Sequence, residues 1–305
     1  MTVPRLRAGD RVRLVSPAST PSPDGVARGV ELLEGWGLRV EIGRHALDQV
    51  GYLAGDDADR LADLNEAFRD PGVRAVFATR GGKGAYRIAH RLDVEAARAD
   101  PKPLVGFSDI TYLHLALQRG GAAVGFHGPM LNWNDDHCDV GCAGALRRAL
   151  MEVGPIVVRS DPTGYTARFS TGGPVTGTLI GGNFGTISGS VGWVLPDLEG
   201  AILLLEDHHG TGLGQIDRCF AQLVHGGHLD RIVGVAIGTF GEFETAEAGG
   251  WTLADVISGW LDRLGVPVLG GLPLGHGRNP ATVPLGTTTS IDPVSASMTV
   301  ASGVR

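Results

Sequence analysis

Leu104-Val105-Gly106-Phe107-Ser108-Asp109-Ile110-Thr111 begins as an apolar run and ends as the start of a helix. Residues 104–107 read as a buried strand, and Asp109 to Gln118 as a helix that follows with almost no loop. The same alternation continues on the N-terminal side. Val12 to Val15 is a strand ending in Ser16-Pro17, and Val26, Val30 and Leu33 then recur at helical spacing. Leu38 to Val40 resumes a strand. Asp56 to Phe68 reads as a helix, with Leu61, Leu64 and Phe68 on one face and acids in its first turn, where the helix dipole favours them. Val73 to Ala78 is a strand running into Thr79-Arg80-Gly81-Gly82, with a helix through Ile88. Ala122 to Phe126 is one more strand. Strands separated by helices build a mostly parallel sheet covered on both faces, whose ligands sit beyond the carboxyl ends of the strands.

The pattern loosens after Trp133. NDDHCDVGC, SDPTGY and STGGP are turn-rich, and one short helix, Gly144 to Met151, interrupts them. Beyond them come short β-type runs at Val175–Ile180, Ala201–Leu205, Ile232–Ile237, Thr287–Ile291 and Ser297–Val300, with helices near Ile216–Val224 and Leu253–Leu264. The expected organisation is an N-terminal α/β domain over residues 1–135, a linker over 136–174 and a smaller, β-rich C-terminal domain over 175–305.

Composition narrows the function classes. The 305 residues carry 26 basic and 33 acidic side chains, a net charge of −7, which argues against a general nucleic-acid binder. Hydrophobic residues make up 43% and charged ones 19%, which excludes a disordered chain. Glycine is high at 48 residues, without a collagen-like period, and reads as many tight turns and close backbone approaches. The start has no apolar run of signal-peptide length, and no stretch approaches the ~20 apolar residues that span a bilayer. The three cysteines, Cys138, Cys142 and Cys219, do not resemble a secreted disulfide framework. A soluble cytoplasmic protein, without a membrane or nucleic-acid partner, is expected.

Ser108 stands at a strand-to-helix turn, which lifts a side chain above the sheet edge and aims helix N-terminal amides at what it attacks. The bland alternative is that Ser108 or Asp109 only caps the helix. A serine nucleophile needs a base and an orienting acid. Among ten histidines, His45, His90 and His114 occupy ordinary helix or loop settings, and His127 lies at a strand end of the same sheet. His276, between Gly275 and Gly277, reads as a loop residue rather than a core one. Glu206 closes the apolar run Ala201 to Leu205, as a solvated strand terminus or an orienting carboxylate. Other constellations compete. Glu206-Asp207-His208-His209 has metal-type side chains without helical spacing. Cys138-x₃-Cys142 beside His137 hints at zinc but lacks a second cysteine pair. GTGLGQ at 210–215 resembles a phosphate-binding loop but departs from the dinucleotide and P-loop patterns.

Read together, RGGKGAYR, GFSDIT, HGPM, ILLLED with QIDRCFAQL, and GLPLGHGRNPATVPLG occur in this order over nearly the whole chain. With GDRVRLVSPAST and GYLAGDDADRLADLNEAF, the set resembles the L,D-carboxypeptidase family of serine peptidases, peptidase family S66. That family includes muramoyltetrapeptide carboxypeptidases and microcin C immunity proteins. The resemblance implies a Ser-Glu-His triad at Ser108, Glu206 and His276, with the serine on the N-terminal domain and the other two on the C-terminal one. It implies an oxyanion hole from the amides of Asp109 and of the RGG turn, at Gly82. It further implies a peptide or muropeptide substrate, no metal or organic cofactor, and a homodimer. The family often has an aromatic after RGG, where this chain has Lys83, which changes the nearby pocket wall. Arg80 is a candidate partner for a substrate carboxylate. One rival is an immunity-type hydrolase cleaving an aminoacyl-nucleotide amide. The resemblance implies that those relatives hold the nucleobase on an aromatic loop residue, and residues 161–176 offer Tyr165 and Phe169 but no tryptophan, which leans against this rival. The other rival is a non-catalytic nucleotide- or sugar-binding protein using GTGLGQ.

Overall fold

The computed structural model describes residues 2–122, 125–208, 212–241, 247–248 and 250–305. In chain order the first part runs β1 (Arg11–Val15), α1 (Pro23–Gly35), β2 (Arg39–Ile42), α2 (Asp57–Arg69), β3 (Val73–Ala78), α3 (Ala85–Ile88), α4 (Val94–Ala99), β4 (Leu104–Gly106), α5 (Thr111–Arg119) and β5 (Gly125–His127). Then follow α6 (Val140–Met151), β6 (Ile156–Arg159), β7 (Val175–Asn183), α7 (Phe184–Gly189), β8 (Ala201–His208), α8 (Leu213–His225) and β9 (Gly234–Gly241). The chain closes with β10 (Glu247–Ala248), β11 (Trp251–Thr252), α9 (Leu253–Leu264), β12 (Val268–Leu269), β13 (Val283–Pro284), β14 (Thr288–Asp292) and β15 (Ser297–Val300).

Two sheets carry the mixed α/β architecture. The first has the order β13-β5-β4-β3-β1-β2 and is parallel except for β13, which pairs antiparallel with β5. The central strands β3 and β4 are almost wholly buried, whereas β1 keeps Arg11 and Arg13 only partly buried and the edge strand β2 is largely exposed. α2 starts where the acids predicted, with the Asp56 side chain accepting from the Ala58 and Asp59 amides. The second sheet has the order β12-β9-β8-β7-β14-β15-β6. β7, β8, β9 and β12 are parallel, while β14, β15 and β6 pair antiparallel. Its main core lies between these parallel strands and α7, α8 and α9.

The expected linker holds more structure than its turn-rich sequence suggested. α6 begins four residues earlier than expected, capped by Asp139, and its Leu146 and Leu150 share a core with Val3 and Leu6 of the N-terminal segment. β6 joins the second sheet through β15. α7 was not anticipated: six residues, FGTISG, are too few to display a helical period, and the Asn183 side chain fixes their start by accepting from the Thr186 amide. Near the C-terminus the chain returns to the first sheet at β13, so the two sheets do not divide cleanly along the sequence.

In parallel strands all carboxyl ends face one way. β3 ends at the Thr79-Arg80-Gly81 turn and the adjacent β4 ends at Phe107-Ser108, while the pairing of β7 with β8 ends at Asn183 and Glu206. The two edges meet where the Thr111 hydroxyl accepts from the Asn183 amide at 3.1 Å. That approach demands glycine: a Cβ on Gly182, whose φ is +141°, would lie 2.6 Å from Thr111 Oγ1. No helix among the described residues is long and apolar enough to cross a membrane.

Candidate active site

Ser108 occupies the first position of a 3₁₀ turn that links β4 to α5. Its φ of +60° places a non-glycine residue in the left-handed region, which costs about 1–3 kcal/mol and holds only where the surroundings impose it. They do so here by close packing. A Cβ on Gly106 would come within 3.1 Å of both Ile110 and Ala78, so the turn is pressed against its neighbouring strand. Such a strained turn is what projects a serine beyond a sheet edge.

Glu206 lies near the end of β8, where the register with β9 shifts between Leu205 and Asp207. A bulge of this kind re-aims a side chain. The Glu206 carboxylate is fully buried, and its Oε2 lies 2.6 Å from His276 Nδ1. Asp207 turns the other way and accepts from Asn183 Nδ2 at 3.1 Å and the Gly185 amide at 3.0 Å. His276 sits on the loop after β12. Gly275, with φ +92°, has no room for a Cβ, which would fall 2.2 Å from Glu206 Oε2, so the loop backbone lies directly on the carboxylate. His276 Nε2 reaches Ser108 Oγ at 3.2 Å. With Nδ1–H donating to Glu206, Nε2 is free to accept the serine hydroxyl. The Phe107 and His208 rings hold the imidazole at centroid distances of 5.0 and 4.5 Å.

Burial alone would lower the His276 pKa, but the Glu206 charge, their hydrogen bond and the Asp207 charge outweigh it and raise it above the ordinary imidazole range. Burial lifts Glu206 in turn, against the pull of His276. Glu206 thus favours the protonated form of the imidazole beside it. Glu206 Oε1 is buried with no hydrogen-bond partner among the described residues, so among them the carboxylate bonds His276.

The Asp109 and Gly82 amides donate to no protein oxygen among the described residues. The Asp109 carboxyl points away from the site, accepting from the Ala85 amide at 2.7 Å, and burial lifts its pKa to about 6. Gly81, which sequence reasoning passed over, faces Ser108: a Cβ there would lie 3.0 Å from Ser108 Cβ and 3.2 Å from its Oγ. Gly82, φ +96°, faces Ser19, whose Oγ accepts from the Lys83 amide at 3.1 Å. Buried Arg60 braces both flanking loops, donating to the carbonyls of Pro17 and Gly84. Lys83 is exposed and leaves this backbone arrangement intact.

Arg80 is exposed, donates to the Thr20 carbonyl at 3.0 Å and lines a 180 Å³ cavity with Phe107, Met130, Trp133, His137 and Pro280. A second cavity, of 270 Å³, is walled by Gly277, Arg278, Thr239, Gly241 and Tyr165. His127 is completely buried behind Phe107, with both ring nitrogens unpartnered among the described residues, and burial drives its pKa down to about 3.

The zinc hint at Cys138 and Cys142 is corrected, since the two residues form a disulfide across the start of α6. Spacing of four across a helix start brings two sulfurs together as readily as it brings two ligands to a metal. Cys219 is buried and free. His209, Gly210 and Thr211 lie outside the described residues, with part of the metal-type and GTGLGQ readings.

Residues 12–128 match the model of the LD-carboxypeptidase N-terminal domain, and residues 176–291 that of the C-terminal domain. A Bacillus subtilis protein named a probable murein peptide carboxypeptidase is 33% identical over 98% of this chain and 94% of its own. This chain belongs to the L,D-carboxypeptidase family. The enzyme is thus a carboxypeptidase of family S66. Among solved structures, a muramoyltetrapeptide carboxypeptidase from Oxalobacter formigenes superposes with a TM-score of 0.84 at 25% identity, over 97% of this chain and all of that one. The microcin C7 self-immunity protein in complex with aspartyl sulfamoyl adenosine shares the fold, with a TM-score of 0.87 at 23% identity over the full length of both.

Proposed function

We propose that this L,D-carboxypeptidase removes the terminal D-alanine from murein tetrapeptides, with Ser108 as nucleophile, His276 as general base and acid, and Glu206 as the group that orients and stabilises the imidazolium. The observation that carries the reading is the continuous chain from Ser108 Oγ through His276 to Glu206 Oε2, with links of 3.2 and 2.6 Å. His276 takes the serine proton as Oγ attacks the peptide carbonyl, then gives it to the leaving amine, and water repeats the sequence to release the acyl group. The amides of Asp109 and Gly82, neither engaged by protein oxygens among the described residues, would receive the oxyanion. Gly81 keeps the approach to Ser108 open. No step needs a metal or organic cofactor.

The substrate assignment draws support from relatives. A Pseudomonas aeruginosa protein named murein tetrapeptide carboxypeptidase is 29% identical over 92% of this chain. Arg80, at the rim of the 180 Å³ cavity, offers a guanidinium to an anionic group of the peptide. A recycled muropeptide places the enzyme in the cytoplasm, and we propose a homodimer on family grounds. We also propose a nucleophile-bearing unit before about residue 135 and an acid- and base-bearing unit after about 175. The reading is tested by incubating the enzyme with a tetrapeptide ending in D-alanine and, separately, with an aminoacyl-sulfamoyl nucleotide, and following release by mass spectrometry. D-alanine release supports it. Cleavage of the nucleotide conjugate alone transfers the assignment to the immunity-type reaction.

A further inference from the structure

We infer that Arg278 recognises the free carboxylate of the departing C-terminal residue and so makes this site a carboxypeptidase rather than an endopeptidase. The inference rests on the hydrolytic reading above and adds the residue that would select a chain end. His276 must hand its proton to the leaving nitrogen, so the leaving residue lies on the His276 side of Ser108. The chain immediately after His276, Gly277 and Arg278, walls the 270 Å³ cavity. A Cβ on Gly277 would come 2.7 Å from Thr239 Cγ2, so this wall is packed against β9.

The backbone beneath Arg278 is firmly held. Asn279, in the left-handed region at φ +50°, donates its amide to the His137 carbonyl at 2.8 Å. Its side chain exchanges two 2.8 Å hydrogen bonds with Asp139, accepting from the Asp139 amide and donating to its carboxylate. The guanidinium carried by this clamped loop is exposed and makes no hydrogen bond or ion pair among the described residues. Asp161, on the same cavity wall, directs a carboxylate oxygen to the amide and hydroxyl of Thr163. Arg80, the arginine singled out from the sequence, donates to Thr20 and lines the other cavity. An arginine fork on a fixed loop beside the base suits a planar carboxylate, which it can grip in bidentate fashion.

The test compares two substrates, the tetrapeptide with a free terminal carboxylate and the same peptide as its C-terminal carboxamide. They are assayed on wild type, Arg278→Ala, Arg278→Lys and Arg80→Ala. Wild-type cleavage of the free acid secures the underlying reading, and absence of cleavage there overturns both. Given cleavage, Arg278→Ala is expected to lower kcat/KM for the acid by about 10- to 100-fold, as loss of a charged hydrogen bond implies, while leaving the slower carboxamide reaction unchanged. Arg278→Lys should recover part of the difference. The acid-to-amide ratio within one variant is insensitive to partial misfolding. An unchanged ratio in Arg278→Ala, or a selective loss of acid cleavage in Arg80→Ala instead, contradicts the assignment.

Discussion

His276 Nδ1 lies 2.6 Å from Glu206 Oε2, and that carboxylate is fully buried with its other oxygen unpartnered among the described residues. A buried carboxylate is costly unless paired, so the arrangement is stable only with the imidazole facing it. The relationship couples the second sheet to the chemistry at the edge of the first, because the same imidazole reaches Ser108.

The pairing fixes the sign of a pH effect. Glu206 holds the His276 pKa above its ordinary value of about 6.5, and the base works only when neutral. In wild type kcat/KM should therefore rise with pH through a midpoint above about 6.5. Glu206→Gln should move that midpoint downward and lower the plateau on the order of 10³–10⁴-fold, while His276→Ala falls at least as low. Rate profiles of folded variants, checked by circular dichroism, decide this. A midpoint unmoved by Glu206→Gln would detach Glu206 from the base.

His127 serves as the control histidine. It is completely buried and, among the described residues, bonded through neither nitrogen, so His127→Leu should keep most activity and change stability by less than about 1 kcal/mol. Loss of turnover in a folded His127→Leu protein would make His127 the base instead.

The same residue sets part of the acid sensitivity. Folded-state pKa values pushed down to about 3 for His127 and about 4 for His114 lie below the unfolded value of about 6.5, so the unfolded chain binds more protons as pH falls. The stability tied to their neutral forms is fully present above about 6.5 and drains away as pH drops toward 4 and then 3. Thermal melts between pH 7 and 4 should show a shallower decline in His127→Leu than in wild type. Parallel slopes would contradict the assignment.

Exhaustive chelation should leave full activity, because the proposed steps pass only through Ser108, His276 and Glu206. Loss on chelation with recovery on adding zinc would shift the chemistry toward the residues around His208.

What the sequence revealed and what it concealed have physical causes. The strands at 12–15, 73–78 and 104–106 are legible because burial makes them mostly apolar, interrupted only at Arg13 and Arg74, and turn residues bound them. Ser108, Glu206 and His276 are legible as strand-end and glycine-flanked residues, and their ordered motifs add the rest. Their approach across 168 residues of chain was not legible locally, because the bulge at Glu206 and the contact of Gly275 with its carboxylate exist only once both sheets form. β13 was missed for a similar reason: two residues carry no period, and their pairing with β5 is set by the distant loop they follow. Gly81 was overlooked beside Gly82 because only the fold shows which glycine faces the serine.

The most direct test of the central claim is D-alanine release from a murein tetrapeptide by wild type and by Ser108→Ala, followed by mass spectrometry. The account predicts loss of the terminal residue alone in wild type. It predicts a fall on the order of 10⁴–10⁶-fold in Ser108→Ala, whose melting temperature stays close to wild type because the hydroxyl does little for folding. Wild-type-like turnover by a folded Ser108→Ala protein would contradict it.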